Sequence, residues 1–176
     1  KAAEKIILEP AGRNTAPALT LAALAVADAP ETILLVMTSD HVIQDVVAFQ
    51  SAGNDGAQLA KQGFLVTFGI VPDCAETSYG YIQRGDIISG HDALKIQSFI
   101  EKPDIETAKS YLSSGDYYWN SGMFMMTVAA WIDAIKQLSP NVYQYCEAAY
   151  NNGKRDLDFY RVDSDAFSKC PSDSID

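Results

Sequence analysis

Thr32-Ile33-Leu34-Leu35-Val36-Met37-Thr38-Ser39-Asp40-His41 is the stretch that decides the fold. Residues 32–37 are apolar without alternation, the pattern of a central parallel strand covered on both faces. The run stops abruptly in the polar cluster 38–41. In open α/β sheets ligands collect beyond the carboxyl ends of strands. Asp40 can therefore present a carboxylate at the rim of the sheet.

On either side the chain alternates strand-like and helix-like segments. Residues 6–9 and 65–70 are short buried strands, and 122–127 is another. Residues 79–84 and 94–101 form an antiparallel hairpin whose tip is Ser89-Gly90-His91-Asp92. Helices are expected over 15–27, 46–62, 105–113, 128–138 and 141–150. Asn14 and Asp104 are suitable N-caps, Pro17 is tolerated in a first turn, and Gly63 and Gly115 suit helix ends. Gly53 and Gly56 weaken the second helix by about 1 kcal/mol each relative to Ala. The helix over 15–27 is apolar nearly all round, so it needs cover on more than one side. An extended piece over 159–162 and a helical turn or two near Ala166 complete the tail. Such alternation argues an α/β sheet with helices on both faces.

The 176 residues suit one domain. With 48% hydrophobic and 20% charged residues, the chain is too apolar to be a disordered tail. The net charge of −10 leaves no basic patch, which argues against nucleic acid as a partner. Apolar runs are too short to span a membrane. Cys74, Cys146 and Cys170 are widely spaced, as expected of reduced thiols in a cytoplasmic protein. The chain starts at Lys1 within a few residues of a strand and stops at Asp176 without Gly or Pro punctuation. It is expected to be an interior piece of a longer polypeptide.

Taken singly, the polar clusters have plain alternatives. Asp40 is either a hard oxygen ligand for Mg²⁺, which an acidic protein needs to hold phosphates, or part of a turn capping the next segment. Ser39-Asp40-His41 cannot be a hydrolase triad, because adjacent side chains point apart. Glu101 and Lys102 either hold sugar hydroxyls and a phosphate or form a surface ion pair. Pro103 is expected to keep Lys102 extended. Tyr117, Tyr118 and Trp119 either line a sugar pocket or belong to the core. His41 and His91 lack zinc-ligand spacing.

In order along the chain stand Glu9-Pro10-Ala11-Gly12-Arg13-Asn14-Thr15-Ala16-Pro17-Ala18, Ser39-Asp40-His41, Thr67-Phe68-Gly69-Ile70-Val71-Pro72, and Glu76-Thr77-Ser78-Tyr79-Gly80-Tyr81-Ile82. Phe99-Ile100-Glu101-Lys102-Pro103, Trp119-Asn120-Ser121-Gly122-Met123-Phe124 and Cys170-Pro171-Ser172-Asp173-Ser174-Ile175-Asp176 follow. This series closely resembles the bacterial mannose-1-phosphate guanylyltransferases, including bifunctional enzymes with a downstream mannose-6-phosphate isomerase domain. The resemblance covers essentially the whole chain.

It implies a Rossmann-like nucleotidyltransferase fold, a mixed, mostly parallel sheet truncated here at both ends. Residues 1–176 would be part of one nucleotidyltransferase domain. The implied reaction is GTP + mannose 1-phosphate → GDP-mannose + diphosphate, for polysaccharide biosynthesis. By the same resemblance Glu9 reads the base, and Gly12, Arg13, Asn14 and Thr15 form the nucleotide-side turn. Asp40 and Asp176 hold Mg²⁺. Gly80 brings backbone close to the sugar, Glu101 and Asn120 hold its hydroxyls, and Lys102 binds its phosphate. Asp40 and Lys102 are the catalytic pair, acting by charge rather than as a base.

Departures from the family pattern are Thr38 where Pro is common and Ser78 where Gly is usual, the latter disfavouring positive φ. The family's glycine-rich phosphate loop and the C-terminal remainder are absent. The chain alone is therefore expected to be inactive and to self-associate as a homo-oligomer through exposed sheet edges. The alternatives are another sugar-1-phosphate nucleotidyltransferase, which a comparison of GTP with dTTP and UTP would separate, or a non-catalytic sugar-phosphate-binding module.

Overall fold

The computed structural model describes residues 5–175. Among these described residues fourteen elements follow one another: β1 (Ile6–Leu8), α1 (Thr15–Leu24), β2 (Ile33–Val36), α2 (Val46–Lys61), β3 (Val66–Ile70), β4 (Gly80–Ile87), β5 (Leu94–Glu101), α3 (Ile105–Ser114), β6 (Tyr117–Thr127), α4 (Val128–Leu138), α5 (Pro140–Asn151), β7 (Lys154–Asp156), β8 (Phe159–Arg161) and α6 (Ser164–Ser168). They fall into two units.

The first unit comprises the residues up to Leu34 and those from Met126 onward. Its centre is α1, packed by α4 and α5, with α6 against α5. Leu21 and Ala23 are buried, as are Ala16, Pro17, Leu19 and Thr20, so the all-round apolar helix does have cover on more than one side. Each fully buried Leu contributes about 1.5–3 kcal/mol. The buried Thr20 hydroxyl donates to the Ala16 carbonyl at 2.7 Å and accepts from Trp131 Nε1 at 3.2 Å, which leaves no orphan in this helix contact. A small sheet of order β1-β8-β7 lies in the same unit, with β1 parallel to β8 and β7 antiparallel to it.

The second unit, Leu35–Met125, carries the larger sheet, of order β2-β6-β4-β5, with β3 also pairing β6. The pairs β3–β6, β4–β5 and β4–β6 are all antiparallel. α2 packs on β3, and Gly56 is where they come close. A Cβ there would sit 3.4 Å from Met125 Sδ and 3.5 Å from Phe68. The glycine that weakens α2 as an isolated helix thus admits close helix–sheet packing. At the hairpin tip Gly90 takes φ +84°, and the Ile88 amide donates to the Ala93 carbonyl. α3 runs from the Asp104 cap, which accepts from the Thr107 amide at 2.8 Å, to Gly115 at φ +70°.

The α/β class stands, and four sequence expectations change. β2 ends the described path of its sheet rather than lying inside it, and Leu35 on it is 40% exposed. Parallel pairing is scarcer than the apolar runs suggest, since the hairpin β4–β5 and the return strand β6 dominate the sheet. β6 begins at Tyr117, five residues before the expected start at 122, because its aromatic half pairs with β3 and β4. β7 is a strand where none is expected, formed by pairing Lys154–Asp156 against β8.

Two consequences are measurable. Thr127 caps α4 through its hydroxyl, accepting from the Ala130 amide at 3.1 Å, and the residue is 5% exposed. Thr127→Ala should lower stability by about 1–2 kcal/mol, read as a lower urea midpoint at unchanged slope. In the loop before β4, the Ser78 and then the Thr77 donors hold the Glu76 carboxyl below its ordinary value of 4.5. A depressed folded pKa gives stability that is complete above the unfolded value and lost as pH falls through the folded one. An NMR titration should therefore place the Glu76 midpoint below 4.5, and Glu76→Gln should remove that share of acid sensitivity.

Candidate active site

In the second unit, strand parity does the gathering. Gly80 on β4 lies opposite Glu101 on β5, and Tyr81 lies opposite Trp119 on β6. Because side chains alternate along a strand, Gly80, Glu101 and Asn120 share one face, while Tyr81 and Trp119 share the other. The three expected sugar-side residues, sixty and more positions from Asp40 in places, thus come to one surface.

Gly80 is held to glycine by this contact. A Cβ would stand 2.8 Å from Glu101 Oε2 and 2.8 Å from the Phe99 ring. Lys102 Nζ pairs with Glu101 Oε1 at 3.1 Å, and both side chains are more than half exposed. An exposed pair of this kind stabilises the fold by roughly 0–1 kcal/mol. The ion pair foreseen as the plain alternative does exist, and it is too exposed to explain these residues by stability. Lys102 is not extended as expected: its φ is +45°. Its amide still donates to the Tyr79 carbonyl at 3.2 Å, one step past the end of β5, and the chain must then turn sharply into Pro103 and the Asp104 cap.

Asn120 accepts from the Thr67 hydroxyl at 3.0 Å, and the same hydroxyl is 3.0 Å from the Met123 carbonyl. Thr67 therefore orients Asn120, a role not foreseen although Thr67 stands in one of the quoted motifs. Gly122 takes φ +70°, and its Cβ position would lie 3.9 Å from the Thr38 methyl. This sets the end of β2 beside β6. Asp40 follows two residues later and is exposed. Ser78, where the family pattern has Gly, donates its amide to Glu76 Oε1 at 2.9 Å and is not among the residues with positive φ, so serine fits without strain.

The aromatic residues resolve towards packing. On the Tyr81 face, Tyr111 stacks on Tyr117 at 3.8 Å and tilts against Tyr81 at 5.4 Å, while Tyr79 meets Trp119 edge-on at 5.3 Å. They lie opposite the Gly80–Glu101–Asn120 face. Tyr118, by parity, is on that face, and its Cβ is the atom that would crowd a side chain at Gly69.

The residues expected on the nucleotide side belong to the first unit. Asn14 caps α1, its Oδ1 accepting from the Thr15 amide at 2.9 Å, with φ +68°. The Thr15 hydroxyl accepts from the Ile175 amide at 3.0 Å. Arg13 Nη2 donates to the Ser168 carbonyl, and Arg13 Nε is buried without a described partner. Glu9 is exposed as a residue, yet partial burial of its carboxyl pushes its pKa above the ordinary range. Nothing stands within 4 Å of a Cβ at Gly12. Asp176 lies outside the described residues.

Among the described residues no group of three or more His, Cys, Asp or Glu side chains is arranged as a metal cage. Mg²⁺ seldom uses one. It is usually held by one or two carboxylates together with water and substrate phosphates, and one exposed Asp at a strand end fits that donor set.

The model for the family described as nucleotidyl transferase matches residues 1–165. Mannose-1-phosphate guanylyltransferase RfbM of Salmonella typhimurium is 53% identical over 179 residues, covering 100% of this chain and 37% of the relative. The mannose-1-phosphate guanylyltransferase of Escherichia coli is 48% identical over 100% of this chain and 38% of the relative. Xanthan biosynthesis protein XanB of Xanthomonas campestris is 51% identical over 97% and 36%. The chain thus spans under two-fifths of the length of these curated relatives.

Two solved structures share the fold. A mannose-6-phosphate isomerase from Helicobacter pylori superposes with TM-score 0.84 at 32% identity, over 97% of this chain and 65% of that one. A protein from Thermus thermophilus, described as a mannose-1-phosphate geranyltransferase, gives TM-score 0.81 at 30% identity, over 96% and 47%. With a family model matched along almost its whole length and a fold shared with sugar-phosphate enzymes, the chain belongs to the nucleotidyl transferase family.

Proposed function

We propose that the protein to which this chain belongs transfers a guanylyl group from GTP to mannose 1-phosphate, releasing diphosphate and GDP-mannose. The observation that carries this reading is the joint placement of Gly80, Glu101 and Asn120 on one face, with the Lys102 ammonium beside Glu101. Relatives about half identical to the chain bear that activity in their names.

The chemistry suits these residue types. An oxygen of mannose 1-phosphate attacks the α-phosphorus of GTP. The bond from that phosphorus to the oxygen bridging to the β-phosphate breaks, and the electron pair leaves with diphosphate. The attacking phosphate is already anionic near neutral pH, so no general base is needed. The difficulty is to hold two anions together on a chain of net charge −10. Lys102 places a cation against the sugar phosphate, Glu101 and Asn120 accept from and donate to hydroxyls, and Thr67 fixes Asn120. Glu9 accepts from guanine N1–H and N2–H₂, which stand side by side. Asn14 and Thr15 act by shaping the start of α1. Mg²⁺, when bound, supplies further charge neutralisation, with Asp40 and Asp176 as its protein ligands.

The reading extends to a cytoplasmic protein that forms a homo-oligomer. Three free cysteines support the former, and exposed apolar side chains such as Leu35, Met37 and Val47 support the latter. No described helix is long and apolar enough to cross a membrane. Sedimentation of the purified chain should show association, and a monodisperse monomer would contradict it.

Diphosphate release by the full-length protein tests the reaction. GTP should be preferred over dTTP and UTP, and chelation of divalent cations should abolish turnover. Faster reaction with dTTP or UTP would assign a different nucleotide. Mannose 1-phosphate binding without turnover would leave a binding module. Lys102→Ala should lower kcat/KM for mannose 1-phosphate by about 10²–10³-fold with folding intact. Gly80→Ala, which displaces Glu101, should cost about 10²-fold.

A further inference from the structure

Two thiols in the first unit have no part in the chemistry above. Cys146 on α5 is fully buried and Cys170, two residues after α6, is 2% exposed. Their sulfurs are 3.8 Å apart. Cys146 Sγ also approaches the Pro17 carbonyl at 3.8 Å, and Cys170 Sγ the Val142 carbonyl at 4.0 Å. Sulfurs in van der Waals contact must close by roughly 1.8 Å to reach bonding distance. A change of χ1 rotamer moves a sulfur by an amount of that order, and Cys170 lies outside any helix or strand.

We propose that Cys146 and Cys170 form an oxidation site that closes to a reversible disulfide when a small peroxide reaches it. The two sulfurs are not equivalent. Burial pushes both thiols up, and every neighbour of Cys146, Cys170 and Glu9 included, pushes it further. At Cys170 the Cys146 hydrogen bond and the Arg13 guanidinium act the other way, against Glu9 and Asp173. Cys170 keeps a trace of exposed surface where Cys146 keeps none, so it is the sulfur a peroxide meets first and Cys146 is the resolving one.

The Cys170 thiolate attacks one peroxide oxygen, the O–O bond breaks, and the departing hydroxide takes a proton to become water. The Cys146 sulfur then attacks the resulting sulfenic sulfur. The S–S bond forms, the S–OH bond breaks, and a second water leaves with the Cys146 proton. Two thiols lose two electrons and two protons, and hydrogen peroxide becomes two waters.

The cross-link bears on the nucleotide-side turn. Residue 170 opens the segment 171–175, in which the Asp173 amide donates to the Arg13 carbonyl at 3.2 Å and the Asp173 carbonyl accepts from the Ala16 amide at 3.1 Å. Tying Cys170 to α5 therefore fixes the strap that lies along the start of α1.

The test uses the chain with Cys74→Ser, which removes the exposed thiol, and hydrogen peroxide followed by alkylation under denaturing conditions. The expected result is a 2 Da loss, no alkylatable thiol, and a cross-linked Cys146–Cys170 peptide that dithiothreitol releases. In Cys146→Ala the sulfenic acid on Cys170 should persist and be trapped by dimedone, whereas Cys170→Ala should give no adduct at Cys146. Two fully alkylatable thiols after peroxide treatment would overturn the proposal, as would equal dimedone labelling with and without Cys146.

Discussion

Parity along β4, β5 and β6 governs which side chains of the second unit can meet a ligand. Tyr81 opposite Trp119 and Gly80 opposite Glu101 fix the register, and a slip of one residue would exchange the two faces. Glu101 and Asn120 would then face the aromatic layer, and Trp119 would take their place. The buried Tyr81 prevents this. Its hydroxyl donates to the Glu76 carbonyl at 2.9 Å and accepts from the Glu76 amide at 3.0 Å, while its ring packs on Tyr111. The aromatic face is thus what makes the polar face dependable, and the absence of a Cβ at Gly80 lets the Glu101 carboxylate lie flat against β4.

Charge sets the second constraint. A chain of net charge −10 repels the anions proposed as its substrates, so the few cations near the polar face matter out of proportion to their number. Lys102 is held by Glu101 without being buried by it. Exposure keeps the desolvation cost of the pair small, and the ammonium can turn from Glu101 towards a phosphate at little loss. Lys102 leaves β5 with a left-handed φ, and its ammonium stays beside the Glu101 carboxylate. An extended Lys102 would continue the alternation of the strand instead.

Most of the local structure was legible because it is local. Asn14, Asp104, Gly63, Gly90 and Gly115 mark helix and hairpin ends through backbone geometry that a few residues determine. Glu101 and Asn120 took definite roles only from the motif series, since a Glu beside a Lys at a strand end reads equally well as a surface ion pair. What escaped was decided by pairing at a distance. The end position of β2 and the length of β6 depend on which strands dock beside them. The Thr67–Asn120 bond spans fifty-three residues. Lys102 departs from the extended form that a following proline favours because the chain turns at once into the Asp104 cap of α3.

On the nucleotide side, the residues expected to meet GTP are already occupied with the fold. Asn14 caps α1, the Thr15 hydroxyl accepts from Ile175, and Arg13 gives its guanidinium to Ser168 and its carbonyl to Asp173. These bonds draw the Glu9–Thr15 turn, α6 and the strap 171–175 into one hydrogen-bonded assembly, with the Cys146–Cys170 contact beneath it. A substitution at Arg13 or Asn14 would loosen α1 as well as any nucleotide contact, so loss of activity there is ambiguous. Glu9 differs. It makes no cap and carries a carboxyl that burial keeps reluctant to ionise. A carboxylate desolvated in this way gains more than a hydrated one when paired N–H donors arrive, and guanine supplies such a pair. The base recognition proposed for Glu9 can thus be separated from scaffold, as the proposed roles of Arg13, Asn14 and Thr15 cannot.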